Sequence, residues 1–443
     1  MRKVSYTYLG FRYLEVDGPG EALAAAQFGA AARHCVMPST ALAFSSSNRT
    51  LDAVRALCAR SALYCSQEQF IDTPTREKGQ FLWDAANESE AVMGAFGDQN
   101  LSWQGLRDMA RAQRRYWPGG ATNEIYPNDD GPQDYPTFTA RYPEWVWRYY
   151  LATGDVTTVR SLAEPLGRLA VYLWSKVDRA TGLLSGLPHP TNGDNQYGYD
   201  LSTYADTTLN VLAVNAWRRI ASLFVVLGDQ VGARREQARG AAVAGAVNRR
   251  TVTPDGLYSD GLSRSGARSP HASQLANASA LAYGVAPAAR TAHVAAFVAS
   301  QDISVEPDHG LELLRALEIG GRSPDVVRIL TDASFPGWAR ILADGGTFTW
   351  EAWTPSDAYG DSMSHGWGSS ALVAIEETVL GVTRRPQTAQ GSGALLDVVA
   401  PRPKPRYGVV RELSPRTPYA ESRTPWHSVE QYDGPSVASG SRS

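Results

Sequence analysis

A short segment near residue 80 concentrates the residue types that acid–base chemistry needs. The run Asp72-Thr-Pro-Thr-Arg-Glu-Lys-Gly-Gln-Phe-Leu-Trp-Asp84 holds three carboxylates, two cations and two aromatic side chains. Pro74 and Gly79 interrupt helical geometry, so we expect a shaped loop that leads into a helix. Neighbouring negative charges and partial burial would raise the pKa of Glu77, and a carboxylic acid with a raised pKa can donate a proton near neutral pH.

A second cluster lies far downstream, where Glu351 stands between Trp350 and Trp353 and His365 follows among glycines. A glutamate between aromatic residues is, taken alone, most often a half-exposed surface residue. Two clusters together favour chemistry, because cleavage of a glycosidic bond requires a pair of carboxyl groups. One group protonates the leaving oxygen, and the other acts on the opposite face of the sugar. We therefore predict that Glu77 and Glu351 form such a pair.

Four local motifs follow one another along the chain: Gly10-Phe-Arg-Tyr-Leu-Glu-Val16, Asp72-Thr-Pro-Thr-Arg-Glu-Lys78, Thr349-Trp-Glu-Ala-Trp353 and Ser364-His-Gly-Trp-Gly368. In this order they resemble motifs of the α-L-rhamnosidases of glycoside hydrolase family 78. The first resembles the strand that ends a β-domain, the second the acid-bearing motif, the third the base-bearing motif and the fourth the histidine motif. The resemblance covers roughly residues 8 to 400.

The resemblance implies an inverting hydrolase on an (α/α)6 barrel, which acts on a rhamnose-containing glycoside or polysaccharide. It implies Glu77 as the general acid and Glu351 as the general base. The residues implied to bind rhamnose are Asp72, Arg76, Asp84 and His365. We also expect the rings of three tryptophans to contact the substrate, namely Trp83, Trp350 and Trp353.

The chain departs from the family's motifs at three points. Thr73 stands where many members have a cysteine, and Trp83 stands where a glycine is common. The family's Gly-Asp-Trp motif reads Gly193-Asp-Asn-Gln-Tyr-Gly-Tyr199 here. An aromatic platform at that position would therefore come from Tyr197 or Tyr199.

Each of these residues also has a purely structural interpretation. Arg76 could form an ion pair with a neighbouring carboxylate, and Asp84 could be a helix-start charge that the helix dipole favours. His365 could be a core histidine, and the tryptophans could be core residues. The repeated placement of tryptophans beside Glu351 and His365 favours a wall that faces the sugar.

Composition limits the classes of partner. The 443 residues carry a net charge of −3, which offers no positive surface to a nucleic acid or an anionic membrane. We find no apolar stretch of the length that a membrane span needs. The three cysteines, Cys35, Cys58 and Cys65, lack zinc-binding spacing and form no even disulfide framework. We therefore expect neither a metal nor another cofactor.

Helical periodicity dominates from about residue 48 onward. The clearest example follows the capping residue Asp155, with Val159, Leu162 and Leu166 on one apolar stripe, and Pro165 is expected to kink or divide this helix. Such stripes predict about a dozen helices, near residues 51–65, 82–96, 101–116, 141–152, 156–176, 205–227, 230–248, 271–283, 290–300, 308–318, 322–332 and 364–380. A dozen helices can close a mainly α, six-hairpin (α/α)6 toroid. Long polar loops at 117–131, 188–197 and 335–368 are expected to gather with the Asp72 loop at one end.

We predict three regions. Residues 1–47 are expected to contain the last strands of an N-terminal β-domain and a linker, and residues 48–385 the (α/α)6 catalytic barrel. Residues 386–443 are rich in Pro, Arg, Ser and Thr, and are expected to form an incomplete C-terminal β-domain with a disordered tail.

The sequence leaves other functions open. The chain could be a carbohydrate-binding or inactive truncated remnant of the same fold, or another (α/α)6 glycosidase. The presence of both Glu77 and Glu351 argues against loss of activity by point mutation, and the motifs around them argue against another glycosidase. The aglycone, the linkage preference, the compartment and the oligomeric state are not determined by these patterns.

Overall fold

The computed structural model describes residues 8–11, 15, 31–38, 44–127, 131–187, 199–358 and 360–382. Within these ranges lie thirteen α-helices, numbered in chain order: α1 (Arg49–Tyr64), α2 (Leu82–Ala95), α3 (Asn100–Tyr116), α4 (Pro136–Thr153), α5 (Val156–Ser175), α6 (Thr207–Val226), α7 (Gln230–Arg250), α8 (Gln274–Ala282), α9 (Ala288–Ser300), α10 (Gly310–Ile319), α11 (Ser323–Thr331), α12 (Trp338–Ala343) and α13 (Ala371–Ala374). A 3₁₀ turn (Gly366–Ser370) precedes α13 and a π-helical turn (Ile375–Val379) follows it.

The helices form two concentric rings. In the inner ring α2 contacts α4, and the contacts continue through α6, α8, α10 and α13 back to α2. Every residue of α2 is buried, as expected for a helix enclosed on all sides. The outer helices α1, α3, α5, α7, α9 and α11 pack against this ring, and α1 contacts α11 to close the outer layer. The mainly α, (α/α)6 toroid predicted from the sequence is confirmed.

The connections alternate between short turns and long loops. Short turns at one end of the toroid span residues 96–99, 154–155, 227–229, 283–287 and 320–322. Long loops at the other end span 65–81, 117–135, 176–206, 251–273, 301–309 and 332–365. These loops contact each other: Gly366 N donates to Asp72 O at 2.9 Å, and Trp353 Nε1 donates to Val305 O at 2.6 Å. The predicted gathering of long loops is confirmed for the described loops, and residues 188–197 lie outside the described residues.

Two short strands join neighbouring loops at the long-loop end. β1 (Ala205–Asp206) pairs antiparallel with β2 (Gly261–Leu262), so that Ala205 lies opposite Leu262. An isolated bridge between Phe81 and Ile125 links two other loops in the same way. Backbone pairing therefore fixes the loops to one another.

Side-chain caps set where several helices begin. Asp155 accepts a hydrogen bond from Thr158 N and caps α5 as predicted, while Gly154, with φ of 69°, ends α4. Asp206 caps α6 through Leu209 N, and Ser273 caps α8 through Ala276 N. The long loops thus pass into the inner helices through residues that satisfy the free N–H groups of the first turn.

The structure differs from the predicted elements in three places. α5 runs unbroken through Pro165, so of the two predicted effects of this residue the division does not occur and the kink stays a prediction. The short helix α12 was not predicted, and the helix expected at 364–380 is divided into 3₁₀, α and π turns. The backbone there is tightly packed, because a Cβ at Gly366 would lie 1.6 Å from Glu88 Oε1 and one at Gly368 would lie 2.7 Å from Thr349 Cβ. This close approach overrides the helical sequence pattern.

Two further expectations concern membranes and the flanking regions. By length and composition α6 could span a membrane, contrary to the sequence prediction, but 72% of its most apolar window is buried inside the toroid. Its apolar character therefore has a packing explanation. Of residues 1–47, the described ones contain a bridge residue at Ala31 and no strand, and residues 386–443 lie outside the described range. The predicted flanking β-domains stay predictions.

Candidate active site

The acid-bearing loop, Asp72–Gly79, is closed at its base by its own hydrogen bonds. Asp72 N donates to Gly79 O at 3.0 Å, and Gly79 N donates to Asp72 Oδ1 at 2.8 Å. Lys78 has a left-handed φ of 56°, which turns the chain sharply just after Glu77. As a result the side chains of Arg76 and Glu77 extend from the loop, 37% and 36% exposed.

Glu351, the predicted general base, is held by Ser362, and we call the segment that carries these two residues the base-bearing segment. Glu351 N donates to Ser362 O at 2.8 Å, and Ser362 N returns a bond of 2.6 Å to Glu351 Oε2. Trp367 Nε1 donates to the carbonyl oxygen of Glu351 at 3.1 Å. The carboxyl group, at 10% side-chain exposure, is therefore fixed in orientation with one oxygen, Oε1, directed to a different partner.

Hydroxyl and backbone bonds join the two segments. Thr73 Oγ1 lies 2.6 Å from Ser362 Oγ, and Thr75 Oγ1 lies 3.0 Å from the same atom. Thr73 stands where the family commonly has a cysteine, and in this chain its hydroxyl makes the bridge to the base-bearing segment. The buried thiol of Cys65 lies 3.7 Å from Asp72 O, and it is free, as are the other two cysteines.

Arg76 brings the two predicted catalytic carboxyl groups together. Its Nε lies 2.5 Å from Glu77 Oε1, and its Nη2 lies 2.6 Å from Glu351 Oε1. The third nitrogen, Nη1, donates to Gly360 O at 2.6 Å. A planar guanidinium with several donors can hold two carboxylates at a fixed relative orientation. Glu77 and Glu351, distant in sequence, therefore border one site.

The protonation of the acid-bearing loop differs from the prediction. Burial raises the pKa of Asp72 to about 8, and the neighbouring Glu77 contributes to this rise. Partial burial alone would also raise the pKa of Glu77, but the hydrogen bond from Arg76 outweighs it and the pKa is lowered. The prediction of a raised pKa for Glu77 is thus wrong, because it overlooked the adjacent guanidinium. Near neutral pH the loop holds its proton on Asp72.

Asp84 and His365 lie close to each other and are both buried. Asp84 is in the first turn of α2, and its Oδ1 is 3.6 Å from His365 Nδ1. Burial raises the pKa of Asp84 well above its usual range, and Asp72 adds to the rise. Burial also lowers the pKa of His365 well below its usual range, with Arg76 contributing. Both side chains are therefore neutral, and within the described residues neither of these two atoms has a hydrogen-bond partner.

The three tryptophans predicted to contact the substrate are buried, and their contact with a sugar stays a prediction. Trp83 is 1% exposed, donates to Asp308 O at 3.1 Å and has the guanidinium of Arg141 5.0 Å from its ring. Trp353 is 5% exposed and packs edge-on against Trp338 at 4.7 Å. Trp83 and Trp353 thus form the packing beneath the site. Trp350, at 9%, is similarly buried.

The platform expected from the 193–199 motif is only partly described. Tyr197 lies outside the described residues. Tyr199 is buried, and its hydroxyl donates to Asp206 Oδ2 at 2.6 Å and contacts Asp260 O at 2.8 Å. Its hydroxyl is therefore committed to the loop structure near α6.

Sequence reasoning missed an acidic group on the loop before α10. Glu306 Oε2 accepts from Trp353 N at 3.3 Å, and burial together with Asp308 raises the pKa of Glu306 to about 8. His309 lies 3.6 Å from Asp308 Oδ2 and 3.7 Å from Glu312 Oε2, and these acids raise its pKa despite burial. The feature of the sequence that could have indicated these residues is the run Glu306-Pro-Asp-His309, which has three titratable side chains at the start of a predicted helix.

Glu88 was also missed. It lies one turn after Asp84 on α2, is fully buried, and neither carboxyl oxygen has a hydrogen-bond partner among the described residues. Burial raises its pKa well above the usual range, and Asp84 and Asp72 add to the rise. A sequence pattern gave no reason to single it out, because a glutamate inside a helix is usually exposed. Within the described residues no group of three or more His, Cys, Asp or Glu side chains could hold a metal ion.

One protein family and several solved structures are similar to this chain. The protein-family model for the bacterial α-L-rhamnosidase six-hairpin glycosidase domain matches residues 39–375. The family 78 rhamnosidase of Bacillus sp. GL1 has a TM-score of 0.72 at 19% identity, over 80% of this chain and 37% of that chain. The Streptomyces avermitilis α-L-rhamnosidase complexed with L-rhamnose has a TM-score of 0.67 at 18% identity, over 80% and 35%.

A third similar structure is the Klebsiella oxytoca rhamnosidase with rhamnose bound, with a TM-score of 0.64 at 16% identity, over 77% of this chain and 66% of that chain. At these identities the likeness shows the fold alone. This chain spans well under half the length of the Bacillus and Streptomyces enzymes. The comparison with curated proteins finds no match.

Proposed function

Because this chain belongs to the bacterial α-L-rhamnosidase six-hairpin glycosidase family, we propose that it releases terminal α-L-rhamnose from rhamnosides by an inverting, single-displacement reaction. The observation that carries the proposal is the bridge of Arg76 between Glu77 and Glu351. It brings together two carboxyl groups, one half-exposed and one buried, and a pair of carboxyl groups is what glycosidic cleavage requires.

Glu77 acts as the general acid. The loop carries one proton near neutral pH, held on Asp72 and shared with Glu77 through their mutual hydrogen bond. Transfer of this proton through Glu77 to the glycosidic oxygen allows the alcohol to leave. Asp72 therefore serves as the proton store, and Arg76 orients Glu77.

Glu351 acts as the general base. Its Oε2 is held by Ser362 N and its Oε1 accepts from Arg76, and the second lone pair of Oε1 can accept a proton from an attacking water. Water attack opposite the leaving group needs the two carboxyl groups about 6.5–9.5 Å apart. Asp84 and His365, buried and neutral, are suited to hydrogen bonds with sugar hydroxyls.

The test is a panel of aryl and alkyl glycosides, with variants at the two carboxyl groups. Glu77→Gln should lower turnover strongly for alkyl α-L-rhamnosides and much less for activated aryl rhamnosides, because the latter leave with little protonation. Glu351→Gln should abolish turnover of both. Glu164→Gln, a surface change on α5, serves as the control. Equal losses in Glu77→Gln for both substrate types, or full activity of Glu351→Gln, would remove these roles.

The stereochemistry of the product is a separate test. Single displacement should give β-L-rhamnose as the first-formed anomer of an α-L-rhamnoside, observed by early proton NMR before mutarotation. Initial release of the α anomer would mean a covalent glycosyl-enzyme and would overturn the base role of Glu351.

A further inference from the structure

The motif at Gly10, which the proposed mechanism does not use, lies against the back of the acid-bearing loop. A Cβ on Gly10 would lie 2.7 Å from Thr75 Cγ2 and 2.9 Å from Pro74 O, so no larger residue fits without moving the loop backbone. Gly10 itself is exposed on its other side. The glycine is therefore explained by close approach to one particular segment, the one that carries Glu77.

Two residues earlier, Tyr8 lies between two cations. The Lys78 ammonium is 5.1 Å from the centre of its ring, and the Arg33 guanidinium is 5.3 Å from it. Contacts of this kind between a cation and an aromatic face are attractive. Lys78 is the left-handed residue that follows Glu77, so its side chain is held outward by Tyr8 while Glu77 bonds to Arg76.

The second cation is itself anchored. Arg33 forms an ion pair of 2.8 Å with Glu68, and its carbonyl oxygen accepts from Gln67 Nε2 at 2.9 Å. Cys35 N donates to Ser66 O at 2.6 Å. Tyr8 thus connects Lys78 of the acid-bearing loop to Arg33, which is bonded to the turn that follows α1.

We infer that Tyr8–Gly10, here called the N-terminal buttress, positions the acid-bearing loop so that Glu77 reaches the leaving oxygen. Ser362 holds the loop from the side of the site, and the buttress holds it from the opposite side. The residues of the buttress do not touch the reacting atoms, so they are positioning residues. This inference rests on the acid role proposed for Glu77.

The test uses the full chain with two substitutions that weaken the buttress and two matched controls. Gly10→Ala adds one methyl group against Pro74 O, and Tyr8→Leu removes the aromatic face. Tyr8→Phe keeps the face and should behave as the wild type. Gly119→Ala adds a methyl group at a glycine with no atom within 4 Å of the added Cβ, and should also behave as the wild type.

The expected result is selective for acid catalysis. In Gly10→Ala and Tyr8→Leu, kcat/KM should fall about tenfold further for an alkyl rhamnoside than for an activated aryl rhamnoside, since displacement of a catalytic group by a fraction of an ångström has effects of this order. A purely structural role would lower kcat/KM equally for both substrates. An unchanged ratio of the two substrates in both variants would overturn the inference.

A second measurement does not depend on turnover. Hydrogen exchange of the amides in residues 72–79 should become faster in Gly10→Ala and Tyr8→Leu and remain unchanged in Tyr8→Phe, with α3 as an internal reference. Unchanged exchange in both weakened variants would also overturn the inference. Wild-type protein inactive on every rhamnoside would instead refute the proposed function, and the exchange result would still decide whether the buttress orders the loop.

Discussion

Arg76 is the residue on which the chemistry of the site depends, because it determines which carboxyl group keeps a proton. Its hydrogen bond lowers the pKa of Glu77, whereas Asp72, which is buried and forms no ion pair within the described residues, has a pKa of about 8. The two acids form one titrating pair, and the apparent pKa belongs to the pair. Loss of the proton from the Asp72–Glu77 pair should therefore lower activity at alkaline pH.

This arrangement predicts the pH profile. In the wild type, kcat/KM for an alkyl rhamnoside should fall as pH rises through about 8. In Asp72→Asn, Glu77 remains beside Arg76 with a lowered pKa, so the fall should move to lower pH. Asp344→Asn, at an exposed ion pair on the surface, is the control and should keep the wild-type profile. An alkaline limb that stays in place in Asp72→Asn would show that Asp72 is not the proton store.

Glu88 should affect the pH dependence of stability. The unfolded chain releases this proton near the ordinary pKa of 4.5, and the folded protein retains it to much higher pH. The folded state thus binds more protons above pH 4.5, so its stability contribution is lost as pH rises above that value. Glu88→Gln should reduce the fall in thermal midpoint between acidic and neutral pH, whereas the exposed Glu164→Gln should not. Parallel curves for Glu88→Gln and the wild type would contradict this expectation.

At the residue scale the sequence predicted which carboxyl groups lie close together better than it predicted their electrostatics. Glu77 and Glu351 were found from their neighbours, and the structure brings both to Arg76. The raised pKa was assigned to the wrong acid, because spacing along the chain does not show which carboxylate a guanidinium reaches. Glu88 and Glu306 acquire their raised pKa values from burial, which depends on elements far apart in sequence.

At the scale of single elements, α5 shows how an amphipathic helix covers the inner ring. Its buried stripe includes Leu162, Leu166 and Leu169, while Val171 on the opposite face is 54% exposed. Pro165 lies inside the helix without ending it, since packing on both neighbours outweighs one missing backbone hydrogen bond. The apolar periodicity therefore predicted the helix correctly, and Pro165 does not divide it.

This contrast can be measured on one helix. Leu166→Ala should lower the free energy of unfolding by about 2–5 kcal/mol, because it leaves a cavity at a fully buried position. Val171→Ala, on the exposed face, should change it by less than about 0.5 kcal/mol. Similar losses for both variants in denaturant titrations would mean that α5 does not pack in the orientation described.

The elements that escaped prediction share a physical cause. α12 is too short to show a period, and the last inner segment, Gly366–Val379, is irregular because its glycines approach Glu88 and Thr349 closely. Glu88 belongs to the beginning of the barrel, and Thr349 lies 19 residues before Gly368. A pattern that is read within one window of sequence cannot include them.

At the scale of the whole molecule, the ring must be closed between its first and last elements. Arg315 on α10 joins Glu90 of α2, at 2.6 Å, to Glu377 of the π-helical turn, at 2.8 Å. Arg148 of α4 adds contacts to the same two acids. This network lies away from the site and connects four inner elements: α2, α4, α10 and the π-helical turn.

Breaking the network should weaken the closed ring. Arg315→Leu leaves the buried Glu90 and the partly buried Glu377 short of a partner and should lower the free energy of unfolding by about 3–5 kcal/mol, with a clear decrease in thermal midpoint. Arg340→Leu removes an exposed ion pair with Asp344 and should cost less than about 1 kcal/mol. An Arg315→Leu variant as stable as Arg340→Leu would show that closure rests on apolar packing alone.

The common direction of the inner helices gives the toroid an electrical polarity. Each helix carries roughly half a positive charge at its first turn and half a negative charge at its last. α2, α6 and α8 all begin at the long loops, where Asp84 and Asp206 lie in or before their first turns. Arg148 and Arg315 lie towards the opposite ends of α4 and α10. Asp84 and Asp206 thus lie at the positive ends of their helices, so the backbone itself supplies part of the potential in which these carboxyl groups lie.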